Sequence, residues 1–200
     1  MREHKIHTPL TRDYLNLLKV GDFVYITGKI LTIRDQAYKK LLNLLKNKEH
    51  PPFDFNYQVF YHCGPLAVKD GEYWKVISAG PTTTSRMENL IVNFVDFLDC
   101  AIFIGKGELG IKFTEKIRNK CAYLVFPGGA GSLAAKYVKK VRNIYWPELG
   151  MPEAVWELEV ENFGPCLVCI DAHGSNLFEK LNADINKKYD KILTSRIGTL

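Results

Sequence analysis

The sequence Ala101-Ile-Phe-Ile-Gly-Lys-Gly-Glu-Leu-Gly110 joins four apolar residues directly to a glycine-rich turn. A short apolar run that ends in glycine is typical of a buried strand. A helical pattern follows at residues 112–119, and a second apolar strand follows at residues 122–126. Strand, crossover helix and strand together form a βαβ unit, so this stretch predicts a parallel part of a sheet with helices packed on it.

The same kinds of pattern extend in both directions from this unit. Periodicity predicts further helices at residues 11–18, 36–45, 84–98, 133–141 and 176–189. Runs rich in β-branched and aromatic residues predict strands at residues 23–27, 29–33, 57–61, 73–79, 155–160 and 167–170. We therefore expect an α/β fold with a partly parallel sheet, and a single domain over residues 1–200.

Composition restricts the class of protein. The chain is 46% hydrophobic and 24% charged, as in an ordinary globular protein, and its net charge is +5 from 27 basic and 22 acidic residues. No apolar run reaches the roughly 18 residues that a membrane-spanning helix needs. The start of the chain leads into no apolar stretch, so we expect a cytoplasmic protein. The basic residues are not interleaved with exposed aromatic residues, which argues against nucleic-acid binding.

The cysteines predict buried thiols rather than a disulfide framework. Their number is odd, they are scattered, and most have apolar neighbours. Cys166 and Cys169 have the spacing of a metal-binding pair, but they lie in a predicted strand, where their side chains would point to opposite faces. No second pair completes a ligand set, so we expect no metal site in this chain.

Candidate binding residues gather where predicted strands end. Gly80-Pro-Thr-Thr-Thr-Ser-Arg-Met87 follows one strand and offers hydroxyls, backbone N–H groups at a helix N-terminus, and an arginine. Lys106, Arg34 and residues 128–132 also lie in strand-to-helix loops. Because ligands bind at the carboxyl ends of parallel strands, we expect these cations to hold a small acid with more than one carboxylate.

Other interpretations of these residues stay open. Residues 105–110 spell GxGxxG, a weak dinucleotide signal that here lacks the acidic residue expected at the end of the next strand. Thr82 could serve only as a helix cap. His62 ends a predicted strand and could approach the site, although a packed, hydrogen-bonded histidine is the commoner state. The chain could also be a free-standing anion-binding or regulatory module.

Several motifs in order resemble one known family. They are Thr27-Gly-x-Ile30, Arg34-Asp35, Gly80-Pro-Thr-Thr-x-x-Arg-Met87, Gly105-Lys-Gly107, Gly128-Gly-Ala130, Pro152-Glu-Ala-Val-Trp156 and Glu159-Val-Glu-x-Phe163. Over about residues 8–178, this pattern resembles the β subunit of class I, iron–sulfur fumarase, which also forms the C-terminal part of single-chain class I fumarases and of related tartrate dehydratases. The resemblance implies a three-layer swivelling β/β/α domain.

The resemblance also implies a reaction. It is the reversible removal of water from (S)-malate to give fumarate, with L(+)-tartrate or another hydroxy-diacid as the alternative substrate. A 4Fe–4S cluster, held by an α subunit and not ligated by this chain, would act as Lewis acid on the departing hydroxyl. The expected partner is that iron–sulfur α subunit, in a heterotetramer of two α and two β chains.

The resemblance assigns roles to five residues. Thr82 matches the proposed base and Thr83 a residue that binds the substrate. Arg34, Arg86 and Lys106 match the groups that hold the substrate carboxylates. At one position the chain departs from the family pattern, because Tyr38 stands where the family often has a histidine.

Overall fold

The structure is a computed structural model that describes residues 1–197. Over those residues the chain forms nine strands: β1 Glu3–His7, β2 Phe23–Thr32, β3 Gln58–Tyr61, β4 Leu66–Asp70, β5 Tyr73–Ser78, β6 Ala101–Gly105, β7 Cys121–Val125, β8 Val138–Tyr145 and β9 Val155–Ile170. It also forms six α-helices: α1 Arg12–Leu17, α2 Asp35–Lys46, α3 Glu88–Phe94, α4 Ile111–Ile117, α5 Gly131–Tyr137 and α6 Leu177–Ile197. Short 3₁₀ helices cover Thr84–Met87, Val95–Phe97 and Pro147–Leu149.

Seven of the described strands form one mixed sheet in the order β1-β2-β3-β6-β7-β9-β8. The pairs β1–β2, β2–β3, β3–β6 and β6–β7 are parallel, while β9 runs antiparallel to its neighbours. A further antiparallel pairing between β2 and β9 joins the two sides of the sheet. Strands β4 and β5 form a separate hairpin. The predicted α/β fold with a partly parallel sheet is therefore confirmed.

Successive residues of the central strands enter two different apolar clusters. In β6, Ile102 and Ile104 belong to one cluster, whereas Ala101 and Phe103 belong to the other. The first cluster also receives residues from α1, α5 and the β4–β5 hairpin, and the second packs under α2, α3 and α4. This alternation follows from the period of a strand that is buried on both faces.

All five cysteines are buried and free of disulfides. Cys166 lies in the first cluster and Cys169 in the second, which confirms that this pair points to opposite faces of its strand. Burial raises the pKa of the Cys63 thiol and of the Cys169 thiol, each to about 12. These thiols are therefore protonated packing groups at neutral pH.

One predicted helix and two predicted strands are wrong in their extent. The helix predicted at 133–141 ends at Tyr137, because the residues that follow pair with β9 as strand β8. The strands predicted at 155–160 and 167–170 are one strand, β9, which continues through Gly164 while pairing with β2. Long-range pairing therefore overrides the local pattern in both cases.

Three smaller differences concern the strands and the helix near residue 90. Residues 23–32 form one strand rather than two, with Gly28 at a φ of 114° inside it. Strands β1 and β4 are additional to the predicted set. The helix predicted at 84–98 is divided into 3₁₀, α and 3₁₀ segments. The Thr84 N–H in its first turn donates to the Lys106 carbonyl at the end of β6, and the backbone of Met87 is not α-helical.

Candidate functional site

Residues 81–84 lie across the carboxyl ends of β3 and β6. The Thr82 N–H donates to the His62 carbonyl at 2.6 Å, just beyond β3. The Thr84 N–H donates to the Lys106 carbonyl at 2.9 Å, just beyond β6. Because β3 and β6 are parallel neighbours, their ends meet at one edge of the sheet, and the threonine segment is fixed between them.

The threonine hydroxyls do not cap a helix. Thr83 is the N-cap residue of the 3₁₀ helix, but its side chain makes no capping hydrogen bond. Within residues 1–197, the Thr82 hydroxyl has no hydrogen-bond partner either, and both side chains are half-buried. The interpretation of Thr82 as a helix cap is therefore wrong. The expected row of free N–H groups is also reduced, because those of Thr82 and Thr84 already bond to strand ends.

Lys106 lies between the threonine segment and the glycine loop after β7. It pairs with Thr83 as an isolated parallel bridge. A Cβ added at Gly128 would meet Lys106 Cδ at 3.5 Å and Nζ at 3.9 Å. The Lys106 side chain therefore lies against the loop that follows β7, and the loops after β6 and β7 share one surface.

Arg34 lies at the end of β2 and at the N-terminus of α2. Its Nη2 is 3.2 Å from Oε1 of Glu153, which also accepts a hydrogen bond from the Gln36 N–H at 2.9 Å. A Cβ at Gly64 would lie only 2.7 Å from Arg34 Nη1, so glycine there admits the guanidinium. Arg34 Nε is buried without a partner among the described residues. A buried donor in this state indicates that an acceptor belongs beside it.

Arg86 reaches the same region from the other side of the threonine segment. Its Nη2 is 3.4 Å from Oδ2 of Asp35, the residue next to Arg34. The Arg86 side chain is 54% exposed, so this ion pair is open to solvent and to a competing anion. Arg86 is thus connected to the start of α2 beside Arg34 through Asp35, and the backbone bridge between Thr83 and Lys106 continues the contacts to the loop after β6.

A buried polar network lies beneath these loops. The Tyr38 hydroxyl is 2.9 Å from Nε2 of His62, and the Thr84 hydroxyl is 3.0 Å from Nδ1 of the same ring. Tyr123 donates to the Gly107 carbonyl at 3.0 Å. Burial lowers the pKa of His62 to about 3, so the imidazole is neutral at pH 7. The prediction of a packed, hydrogen-bonded His62 is confirmed.

Several residues of this region were not among the sequence candidates. Glu153 and Asp35 each neutralise an arginine, and Tyr38 and Tyr123 belong to the buried network. Glu153 lies in a quoted motif and Asp35 follows Arg34, so both carboxylates had a local signal. The hydroxyl of Tyr123 had no signal, because this residue lies in an apolar run, and Tyr38 stood out only as a departure from the family pattern.

Two further findings concern the whole of the described chain. Among residues 1–197, no three His, Cys, Asp or Glu side chains are grouped closely enough to hold a metal ion. No helix in that part of the chain has both the length and the apolar character needed to cross a membrane.

Comparison with known proteins adds three relatives and one family. The family described as Fumarase C-terminus matches residues 1–181. A Methanocaldococcus jannaschii protein, provisionally named L(+)-tartrate dehydratase subunit beta, is 41% identical over 186 residues, which is 92% of this chain and 95% of the relative. The L(+)-tartrate dehydratase subunit beta of Escherichia coli K12 is 36% identical over 187 residues, 93% of this chain and 92% of the relative. A Geobacillus stearothermophilus protein, provisionally named class I fumarate hydratase, is 35% identical over 178 residues, 88% of this chain and 34% of the relative.

Proposed function

Because this chain belongs to the fumarase C-terminus family, we propose that it is the β subunit of a hydro-lyase that removes water from L(+)-tartrate. Two relatives that it covers almost completely carry the tartrate dehydratase β-subunit name. The observation that carries a dicarboxylate site is the contact chain from Arg34 to Lys106, with the unpartnered Arg34 Nε at one end. Loss of water from tartrate gives an enol that becomes oxaloacetate.

The second candidate substrate is (S)-malate, with fumarate as product. The motifs in the sequence favour this reaction, and the Geobacillus stearothermophilus relative bears a fumarate hydratase name. The tartrate reaction takes precedence because the relatives with that name match this chain over nearly their whole length. Both substrates carry two carboxylates, so the same cations would serve either.

We assign residues 1–200 to a single domain of the three-layer swivelling β/β/α type. Two apolar clusters on opposite faces of the central strands support this assignment, because each needs its own covering layer. The helices α2, α3 and α4 would form one outer layer, and the β4–β5 hairpin would belong to the other.

Substrate binding rests on three cations and two carboxylates of this chain. Arg34, Arg86 and Lys106 carry three positive charges, and Glu153 and Asp35 carry two negative charges. A substrate with two carboxylates therefore meets a locally positive surface. Arg34 offers its partly exposed guanidinium to one carboxylate, and Arg86 exchanges an exposed ion pair for a bidentate contact.

Proton abstraction is assigned to Thr82, and Thr83 hydrogen-bonds the substrate. The Thr82 hydroxyl is half-buried and has no partner among residues 1–197, so its oxygen is available to a substrate proton. An alcohol is a weak base at neutral pH, so the threonine oxygen needs fixed positive charge nearby in a site closed from water. Lys106 is one candidate for this charge, because its backbone pairs with Thr83 in the threonine segment. A carboxylate of the partner subunit would assist.

The partner is assigned as an α subunit that carries a 4Fe–4S cluster, in a complex of two α and two β chains. Among the side chains described in residues 1–197, no group of three His, Cys, Asp or Glu could hold a metal ion, so the cluster is assigned to the partner. The cluster, when present on the partner, supplies Lewis-acid chemistry to the leaving hydroxyl. This chain supplies the proton acceptor and the carboxylate contacts.

The test is reconstitution of this chain with its α subunit and assay with L(+)-tartrate and (S)-malate. We expect turnover with tartrate to exceed that with malate. The Thr82→Ala variant should lose about 100- to 10,000-fold in kcat with little change in KM, because a general base is removed. Thr82→Ser, which keeps the hydroxyl, is the matched control.

Near wild-type turnover in Thr82→Ala would remove this threonine as the base. A chain that purifies alone and binds no α subunit would favour a free-standing anion-binding module. Higher turnover with malate than with tartrate would make (S)-malate the preferred substrate and would overturn the tartrate assignment. Calorimetry with NAD and ATP tests the remaining dinucleotide alternative.

A further inference from the structure

The β4–β5 hairpin leaves four large apolar side chains open to solvent. Their exposed fractions are 61% for Leu66, 47% for Val68, 70% for Tyr73 and 41% for Ile77. These four side chains form the hairpin patch. Single exposed apolar side chains are ordinary on a protein surface, whereas a group of them on one small element is typical of a contact surface.

The other face of the hairpin is fixed to the core of the domain. Trp74 packs edge-on against Trp156, with the ring centroids 5.6 Å apart. Val76 is buried in the first apolar cluster, and Ala67, its partner across the hairpin, packs against the same cluster. Successive side chains of a strand point to opposite faces, so Val68 lies on the face that the core does not cover.

The hairpin begins and ends at the candidate site. Cys63 and Pro81 form an isolated antiparallel bridge that closes the base of the hairpin. The residue after Pro81 is the proposed base, Thr82. Leu66 and Ile77 lie at the same end of the hairpin as this bridge. The hairpin patch therefore adjoins the edge of the sheet that carries the candidate site.

Charge restricts the kind of partner that the hairpin patch fits. Residues 66–78 contain two lysines and two acidic residues, so the hairpin is balanced in charge although the whole chain carries +5. Nucleic acids and anionic membranes bind basic surfaces. A neutral surface with exposed apolar side chains fits an apolar surface of another protein.

The size of the hairpin patch indicates which protein that is. Its side chains present on the order of a few hundred Å² of apolar surface. A stable interface buries about 800 Å² on each partner, so the hairpin patch alone is too small for two copies of this chain to pair through it. A partner that also covers the site edge, where Arg86 is 54% exposed, meets a larger continuous surface. The α subunit is such a partner, because the proposed function places it at that edge.

We propose that the hairpin patch is a docking surface for the iron–sulfur α subunit, which also covers the carboxyl ends of the parallel strands. This inference rests on the proposed function, since that function requires an α subunit at the site. The hairpin patch is assigned no contact with the substrate. Its role is to hold the partner in place over Thr82 and Arg34.

The first test compares amide hydrogen exchange in the full-length chain alone and in its complex with the α subunit. Among the described strands, β4 pairs only with β5, so one edge of β4 is open to exchange in the free chain. Residues 66–78 should exchange about 10-fold more slowly, or slower still, in the complex. Residues 12–17 of α1 should not change, because α1 lies at the other edge of the sheet, where Cys100 contacts Thr11 just before β6.

The second test measures the affinity of variants for the α subunit by analytical ultracentrifugation. Val68→Asp and Leu66→Asp should each raise Kd by about 10- to 100-fold, because a charge is then buried against an apolar partner surface. Val68 pairs with Lys75 across the hairpin, so an aspartate there meets an opposite charge in the free chain. Leu17→Asp is the matched control, because Leu17 is 56% exposed on α1. Its Kd should stay within about twofold of wild type.

Several results would overturn the inference. Unchanged exchange at residues 66–78 in the complex would do so without any variant, and therefore decides even if the aspartate variants fail to fold. Equal Kd values for wild type and a folded Val68→Asp would do so as well, as would an equal loss of affinity in Leu17→Asp. A free chain that sediments as a dimer, and as a monomer in Val68→Asp, would assign the hairpin patch to a second copy instead.

The two tests separate this inference from the proposed function. If residues 66–78 are protected in the complex but the complex dehydrates neither tartrate nor malate, the docking surface stands and the proposed function fails. If the complex is active and these residues exchange as in the free chain, the docking surface is overturned and the proposed function stands. Because Val68→Asp acts on assembly, its kcat at saturating α subunit should remain near that of wild type.

Discussion

Lowering the pH from 7 to 5 should weaken the fold through one buried residue, His62. Its imidazole is fully buried, is neutral, and faces two hydroxyls rather than a carboxylate. Burial lowers the pKa of His62 from 6.5 to about 3 in the folded chain. The unfolded chain therefore binds this proton at a higher pH than the folded chain does. The stabilising contribution is present above pH 6.5 and is lost progressively as the pH falls toward 3.

The size of the effect follows from the two pKa values. Between pH 7 and pH 5, the unfolded ring becomes largely protonated while the folded ring, with a pKa of about 3, does not. Linkage then gives a loss of about 2 kcal/mol in the free energy of unfolding over this interval. A domain of ordinary stability would lose a substantial share of its free energy of unfolding.

The assay is urea unfolding of the full-length chain at pH 7 and pH 5. The His62→Gln variant should be less stable than wild type at pH 7 but should show a smaller loss on going to pH 5. His7→Gln, at an exposed position, should keep the wild-type pH dependence. The comparison between variants removes the contribution of the other titrating groups.

Equal pH dependence in wild type and His62→Gln would refute the reasoning. So would an NMR titration in which the His62 ring of the folded chain takes up its proton above pH 5. The NMR titration uses the wild-type chain, and therefore decides even if His62→Gln does not fold.

Two further predictions test the site and its packing. Arg86→Lys should raise KM for the dicarboxylate by about 10-fold or more, because a bidentate charged contact is lost; steady-state kinetics checks this, with the equally exposed Arg142→Lys as control, and an unchanged KM would count against Arg86 as a carboxylate contact. Gly105→Ala should destabilise the chain by about 1–3 kcal/mol or more in thermal unfolding, because its Cβ would overlap Thr84. Gly110→Ala, with open space around the added Cβ, should change stability much less, and equal losses in the two variants would contradict the packing argument.

The order of strands and helices in the middle of the chain is predictable because the signals are local. Residues 101–104 are apolar and end in glycine, and β6 covers Ala101–Gly105. The positions of Thr82 and Lys106 follow from the same logic, since both lie directly after strands. What the sequence does not contain is the distance between those loops, which depends on the order of strands in the sheet.

Strand β8 illustrates why some local patterns mislead. Val138–Tyr145 begins within a stretch of lysines with helical spacing, yet it pairs with β9 over most of its length. Its basic side chains are mostly exposed, and Lys139 and Arg142 form ion pairs with Glu161 and Glu159 of β9. An edge strand rich in charge resists further pairing, so charge in this segment is compatible with a strand. Only the partner strand distinguishes the two possibilities.

Tyr38 gives the clearest case of a residue whose meaning depends on tertiary contact. The sequence places it on the apolar face of α2, where an aromatic residue is ordinarily part of the core. Its hydroxyl instead meets His62, 24 residues away in the chain. Burial raises the pKa of Tyr38 well above its usual value, so the hydroxyl keeps its proton and can donate to Nε2.

A histidine at position 38, as the family resemblance would lead one to expect, could present either a proton or a lone pair to His62. The Tyr38 hydroxyl, whose pKa is raised by burial, keeps its proton at neutral pH and lies 2.9 Å from Nε2 of His62. The exchange of histidine for tyrosine at this position therefore replaces a second imidazole with a hydroxyl that does not titrate near neutral pH. The departure from the family pattern contacts the residue whose carbonyl accepts a hydrogen bond from the Thr82 N–H.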